Sequence, residues 1–303
     1  RGAGENGELQ SNSNGAEGSG AMDRFGYLSA FLADGFRVED GSEGSGDKAY
    51  WNQNNAKYVS WCWKANGSGS SNTDGGVTSS VSVNQTAGFS IVTYTGTGSN
   101  TTVGHGLGAK PDFILFKKRE GSSNWITYDS SNGATKYLHL NLTDNVASAS
   151  TVHNNTEPTS SVFSIGTNSH VNTASGTYLA YCFAEKQGYS KFSTYTGNGS
   201  TDGTFVYCGF KPAFVLVKRL SGTTQGWYMW DNRSDGFNPR NFNLEANDSV
   251  AIDDGNQRID LLSNGFKWRV SDTIVNNSGT EYLFIAFAES PFVNSNGVPN
   301  NAE

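Results

Sequence analysis

The stretch GFSIVTYTGTGSNTTVGHGLGAKPDFILFKKREGSSNWITYD, residues 88–129, recurs as SKFSTYTGNGSTDGTFVYCGFKPAFVLVKRLSGTTQGWYMWD, residues 190–231. Tyr94 and Tyr195 lie 101 residues apart, as do Pro111 and Pro212, while Trp125 and Trp227 lie 102 apart. One offset held to within a residue over so long a run makes these stretches copies of one unit. Inside each copy the pattern is that of strands. Phe89, Ile91 and Thr93 alternate with Ser90, Val92 and Tyr94, as in a half-buried strand. Phe113–Phe116 and Phe214–Val217 are short apolar runs that follow Lys-Pro and end in basic residues, which suits a strand lying between two packed layers. Clusters such as Gly96-Thr97-Gly98 and Gly197-Asn198-Gly199 are turn signals.

The second half of the unit occurs three times. VFSIGTNSHVNTASGTYLAYCFAE (162–185) closes one copy, and LLSNGFKWRVSDTIVNNSGTEYLFIAFAE (261–289) closes the next. FLADGFRVEDG (31–41) followed by AKYVSWCWKA (56–65) carries the same signature at Phe36 and Tyr58, without the opening half. The chain is therefore expected to begin inside a repeat of a longer parent. The expected organisation is a truncated repeat over 1–65, a polar flexible linker over 66–87, a full repeat over 88–189 and a second over 190–303 with a C-terminal tail. Only Gln187-Gly188-Tyr189-Ser190 separates the full copies, so they are expected to pack as a rigid pair. No stretch keeps helical periodicity over ten residues. The expected class is all-β, with tandem units of the β-sandwich or jelly-roll kind.

Composition agrees. Charged residues are 16% of the 303, below the roughly 25% of an average globular protein. Gly (37) and small polar residues fill the deficit, beside 13 Tyr, 18 Phe and 7 Trp. That aromatic load argues against disorder. A net charge of −7 disfavours a nucleic-acid partner. No apolar run approaches the roughly 20 residues of a membrane helix, so no membrane insertion is expected.

Repetition also screens the chemistry. Cys62 and Cys182 share a position with Ala286, the place of a small buried side chain. His105, His139, His153 and His170 show no zinc spacing with cysteine and are expected on loops or strand surfaces. Gly104–Lys110 lacks the Ser or Thr of a phosphate loop, since Pro111 follows the lysine. Asp129 and Asp231 end the tryptophan strand in both copies. They could serve as a hydrolase's carboxylates, although a residue kept in two tandem copies more often serves the fold. Calcium at Asp202 or at Asp253-Asp254-Gly255-Asn256 lacks a full ligand series. No metal or cofactor is expected. The candidates for ligand contact are Trp125, Trp227, Tyr228 and Trp230, whose rings could stack on sugars. Alternation sets Trp227 and Met229 on one face, with Tyr228 and Trp230 on the other.

The motifs YTG…HGLG…P and YxAYCFAExxGYSKFxxYTGNG resemble repeat domains of uncharacterised function in large virion proteins of marine and cyanobacterial bacteriophages, usually labelled tail-fibre-like. The likeness runs from about residue 25 and brings no catalytic residues with it. It implies a non-enzymatic structural protein on the virion surface, outside the cell. Such a tail fibre or appendage would serve host attachment, contacting other virion proteins or itself, in a homo-oligomer such as a trimer, and a host-surface glycan. The alternatives are a glycan-binding adhesin and, behind it, a polysaccharide depolymerase.

Overall fold

The computed structural model describes residues 7–19, 22–32, 35–42, 50–252 and 258–289. A short antiparallel pair comes first, β1 (Tyr27–Phe31) with β2 (Phe36–Glu39). Unit 1 contributes β3 (Ser70–Asn72), β4 (Ser79–Asn84), β5 (Phe89–Thr95), β6 (Thr101–Gly104), β7 (Phe113–Lys118), β8 (Ile126–Asp129), β9 (Lys136–His139), β10 (Ala147–Ser148), β11 (Val162–Ile165) and β12 (Thr177–Phe183). Unit 2 contributes β13 (Ser190–Thr196), β14 (Phe205–Tyr207), β15 (Pro212–Arg219), β16 (Trp227–Asp231), β17 (Leu244–Glu245), β18 (Ile259–Leu262), β19 (Gly265–Trp268) and β20 (Glu281–Ala288). Two four-residue helical turns, α1 (Ser150–His153) and α2 (Ser169–Asn172), lie in unit 1. The chain is all-β.

The large sheet of unit 1 runs β10-β9-β8-β7-β12-β5-β4-β3, and that of unit 2 runs β13-β20-β15-β16-β17. The shared order is the point. In each unit the last strand, β12 or β20, is inserted between two strands of the first half. A smaller sheet covers one face, β11 with β6 in unit 1 and β14-β19-β18 in unit 2. Each sandwich closes on its own core, built on Val92, Ile114, Phe116 and Phe163 in unit 1 and on Val215, Trp230, Phe266 and Phe284 in unit 2. The outer faces of the large sheets meet in a third core of Phe113, Trp125, Leu138, Phe214, Trp227 and Phe287. The strands are thus covered on both faces, as their apolar runs require.

The turn of each YTG motif is explained by what it touches. A Cβ at Gly96 would stand 2.3 Å from the Thr173 carbonyl, and one at Gly197 2.3 Å from that of Asn277. Two halves of the unit approach there too closely for any side chain.

Three expectations need correction. Residues 66–87 are not a flexible linker, because β3 and β4 extend the sheet from β5 in continuous register. Val81 and Val83 supply the alternation, and small serines lie between them. Ser79 and Ser82 satisfy their hydroxyls on the carbonyls of Gly104 (2.8 Å) and Gly67 (2.7 Å). Cys62 is exposed, while Cys182 and Ala286 are fully buried. Among the described residues no strand lies on either side of residues 58–63, and they form no strand themselves. His105 and His153 are buried in unit 1 and do not lie on its surface.

Candidate functional site

The most elaborate polar arrangement lies at the seam between units, and it is built on strand alternation. In β15, Val215 and Val217 point into unit 2, whereas Phe214 and Leu216 face unit 1. Lys218 continues the second stripe and is fully buried. Its ammonium donates to the carbonyl oxygens of Thr143 (3.0 Å), in unit 1, and Gln225. Beside it the indole Nε1 of Trp227 donates to the His139 carbonyl (2.8 Å), and Val146 N to that of Leu220 (3.1 Å). On the unit 1 side, the His139 carbonyl ends β9, and the Thr143 carbonyl and the Val146 N–H lie in the segment that follows it.

The same bonds recur one unit earlier. Lys117 donates to the carbonyls of Asn14 (3.1 Å) and Ser123 (2.5 Å), and Trp125 Nε1 to that of Gln10 (2.8 Å). Glu17 N donates to the Arg119 carbonyl (2.8 Å), and its carboxylate pairs with the Arg119 guanidinium (2.6 Å). Residues 9–17 thus stand to unit 1 as 138–146 stand to unit 2. The sequence signal is Leu9-Gln10-Ser11-Asn12, matching Leu138–Asn141 and Leu244-Glu245-Ala246-Asn247. Within each full unit the side-chain oxygen of this motif's asparagine accepts the tryptophan's backbone N–H, Asn141 that of Trp125 (2.9 Å) and Asn247 that of Trp227 (2.5 Å).

Burial pushes Lys117 and Lys218 down to about 8, so both stay protonated at neutral pH. A lysine of lowered pKa can be a nucleophile. These two are shut off from solvent and aimed at backbone carbonyls, so what they do is bind one unit to the next.

Other sequence candidates fall into structural roles. Trp125 and Trp227 are buried in the seam, and Trp230 is buried in the unit 2 core with Tyr228 packed against it. Both faces of the tryptophan strand are covered, which removes the stacking platform. Asp129 Oδ1 accepts the backbone N–H of Asn132 (2.9 Å), and Asp231 Oδ1 those of Arg233 and Ser234 (2.7 Å each). Each caps the turn after its strand. Asp202 pairs with Lys267 (2.7 Å), an environment that repels a cation. Asp253-Asp254-Gly255-Asn256 lies outside the described residues. Among the described residues no cluster of three His, Cys, Asp or Glu could hold a metal.

The nearest approach to a hydrolytic pair is Ser123 Oγ with His170 Nδ1, at 2.9 Å. Burial, then the nearby His139, Lys117 and Lys118, lower the His170 pKa and keep the ring neutral. Among the described residues no carboxylate holds its other nitrogen, and unit 2 has Gln225 at the place of Ser123.

The sequence also matches, over residues 1–291, a family described as a domain of unknown function, DUF7483. The chain belongs to this family. The matched span takes in the truncated unit together with both full ones. No curated protein matches the chain, and no solved structure does.

Buried histidine makes unit 1 of this DUF7483 chain sensitive to acid. His153 packs against Phe116 and Tyr128, its Nε2 lies 3.3 Å from the Thr127 carbonyl, and burial lowers its pKa to about 4. The unfolded chain binds this proton near the ordinary value of about 6.5, and the folded one only near 4. Stability is therefore fully present above about 6.5 and falls with pH down to about 4, by at most about 1.4 kcal/mol per pH unit. Urea melts across this window should show His153→Gln with a shallower slope, by about one proton.

Proposed function

We propose that this chain is a non-enzymatic structural protein of a bacteriophage particle, a segment of a tail fibre or surface appendage engaged in host attachment. The observation that supports this reading is the seam: the buried lysine–tryptophan bonds that join unit 2 to unit 1 also join unit 1 to the segment before it. Such a device welds successive β units into one stiff body. Its tryptophans and buried lysines, like the turn-capping Asp129 and Asp231, are spent on the fold. A surface poor in charge and rich in Gly, Ser, Thr and Asn suits an exposed appendage, and the resemblance to tail-fibre-like repeats supplies the setting.

Immunogold labelling of purified particles with antibody raised against the chain tests this. Labels on the outer surface, with the chain retained through density-gradient purification, are expected. A chain found only in the lysate and absent from purified particles would sink the reading.

A further inference from the structure

Three equivalent side chains, Trp63, Phe183 and Phe287, meet pairwise. Their ring centroids lie 6.2 Å apart for Trp63 and Phe183, 5.2 Å for Trp63 and Phe287, and 5.8 Å for Phe183 and Phe287. Three counterparts that all touch one another surround a local threefold axis. The seams agree with this. The truncated unit docks on unit 1 through Gln10 and Asn14, and unit 1 docks on unit 2 through His139 and Thr143, by the same bonds. A head-to-tail contact repeated by one rotation closes into a ring when the rotation divides the circle. The Trp63–Phe287 contact shows unit 2 back against the truncated unit after two steps.

Two of the three seams are made. The third would join the 244–252 loop of unit 2 to the Lys-Trp face of the truncated unit, and that face belongs to a first half. Apolar surface lies bare on both sides of this place. Phe36 is 37% exposed and Tyr58 47%, whereas their counterparts Phe163, Tyr178, Phe266 and Tyr282 are at most 1% exposed. Ile252, at 44%, takes the place of Val146, which packs on the made seam. Val250 beside it is 51% exposed. The backbones of Glu245 and Ser249 occupy the places of His139 and Thr143, the acceptors for an indole and an ammonium.

We propose that this gap is the docking surface for the first half of one further repeat unit. The occupant is a polypeptide with a Tyr-Thr-Gly turn, a Lys-Pro-led apolar strand ending in a buried lysine, and a tryptophan strand. Joined ahead of Leu9, it would stand as first halves stand ahead of Leu138 and Leu244. Its strands flank residues 58–63 on both sides, cover Phe36, and set a lysine and a tryptophan against the 244–252 loop. The body is then a closed ring of three sandwiches. This inference stands on the recurring contacts alone and is independent of where the chain resides.

The test grafts a copy of residues 88–135 onto the full chain in place of residues 1–6, in the register that Leu138 and Leu9 set. The grafted segment is expected to resist thermolysin, and amide exchange at residues 58–63 to slow at least tenfold. Ile252→Asp, a change at an exposed site in the parent, should restore digestion of the graft while the parent's melting temperature stays put. A graft that is digested, with exchange at 58–63 unchanged, overturns the proposal. A protected graft indifferent to Ile252→Asp overturns the third seam and with it the ring. Self-association of the parent chain that the graft does not abolish assigns the surface to a second copy and overturns the proposal as well.

Discussion

Asn276→Ala is expected to lower the stability of the chain by about 3 kcal/mol, because a fully buried amide is the clamp between the two halves of unit 2. Its Nδ2 donates to the carbonyls of Ser200 (2.9 Å) and Val270 (2.8 Å), and its Oδ1 accepts the Asn198 N–H (3.0 Å). Alanine deletes these bonds and leaves buried backbone groups unpaired, which costs far more than the bonds contribute net. For a cooperative body of some two hundred residues, the loss corresponds to a fall of roughly 6–12 °C in Tm. Asn172 does the same work in unit 1, with Nδ2 on the carbonyls of Ser99 and Gly166 (2.7 Å each) and Oδ1 on the Thr97 N–H (2.7 Å). Asn172→Ala should therefore match it. Asn276→Asp keeps the acceptor but turns a carboxylate towards two carbonyls, so it should melt at least as low as the alanine variant, and lower as pH rises. Thermal melts of the four proteins decide. An alanine variant within 2 °C of the parent would remove the clamp from the account.

These asparagines show where sequence reading stops. The YTG motifs, the repeat offset and the strand-forming runs are legible because apolar side chains recur at fixed spacing in both copies, whereas the shared strand order is seen only in the structure. The alternation in Trp227-Tyr228-Met229-Trp230 correctly separated two faces, but it could not show that both are buried. That depends on a partner sheet packed against the outer face. In the sequence Lys117 and Lys218 are only the basic residues that end an apolar run, a place from which a lysine ordinarily reaches water. Their burial follows from carbonyls supplied by a different unit. The signal that could have found them is their joint recurrence with Trp125 and Trp227. Residues 9–17 were hidden for a related reason. Only Leu9 and Asn12 of that segment keep the identities seen at Leu138 and Asn141, because the contacts that recur at Gln10, Asn14 and Glu17 are made by backbone atoms, which no side-chain pattern records. The strands in 66–87 were missed because serine faces a core as readily as solvent once its hydroxyl finds a carbonyl.

Trp227→Ala should cost more than the asparagine substitutions, and its effect should be of a distinct kind. Trp227 is fully buried in the seam core, where its indole packs among side chains of both units and bonds the His139 carbonyl. Truncation leaves a cavity of tryptophan size and an orphaned carbonyl, at a cost of roughly 4 kcal/mol. Trp230 lies on the other face of the same strand, equally buried, in the core of unit 2 alone. Trp230→Ala should cost a similar amount by the same cavity argument. The two losses differ in what they uncouple. With the seam intact, both units unfold together, because neither can expose its outer sheet without stripping the other. The parent and Trp230→Ala should each show one calorimetric transition whose van 't Hoff and calorimetric enthalpies agree, the mark of a single cooperative body. Trp227→Ala weakens only the coupling, so its endotherm should split, with unit 2 melting first, since unit 1 keeps its own lysine–tryptophan seam to residues 9–17. Trp227→Phe restores much of the packing without the indole N–H and should fall between, losing about 1–2 kcal/mol while keeping one transition. A single undivided endotherm for Trp227→Ala, at whatever temperature, would mean that the units are coupled by something other than this seam.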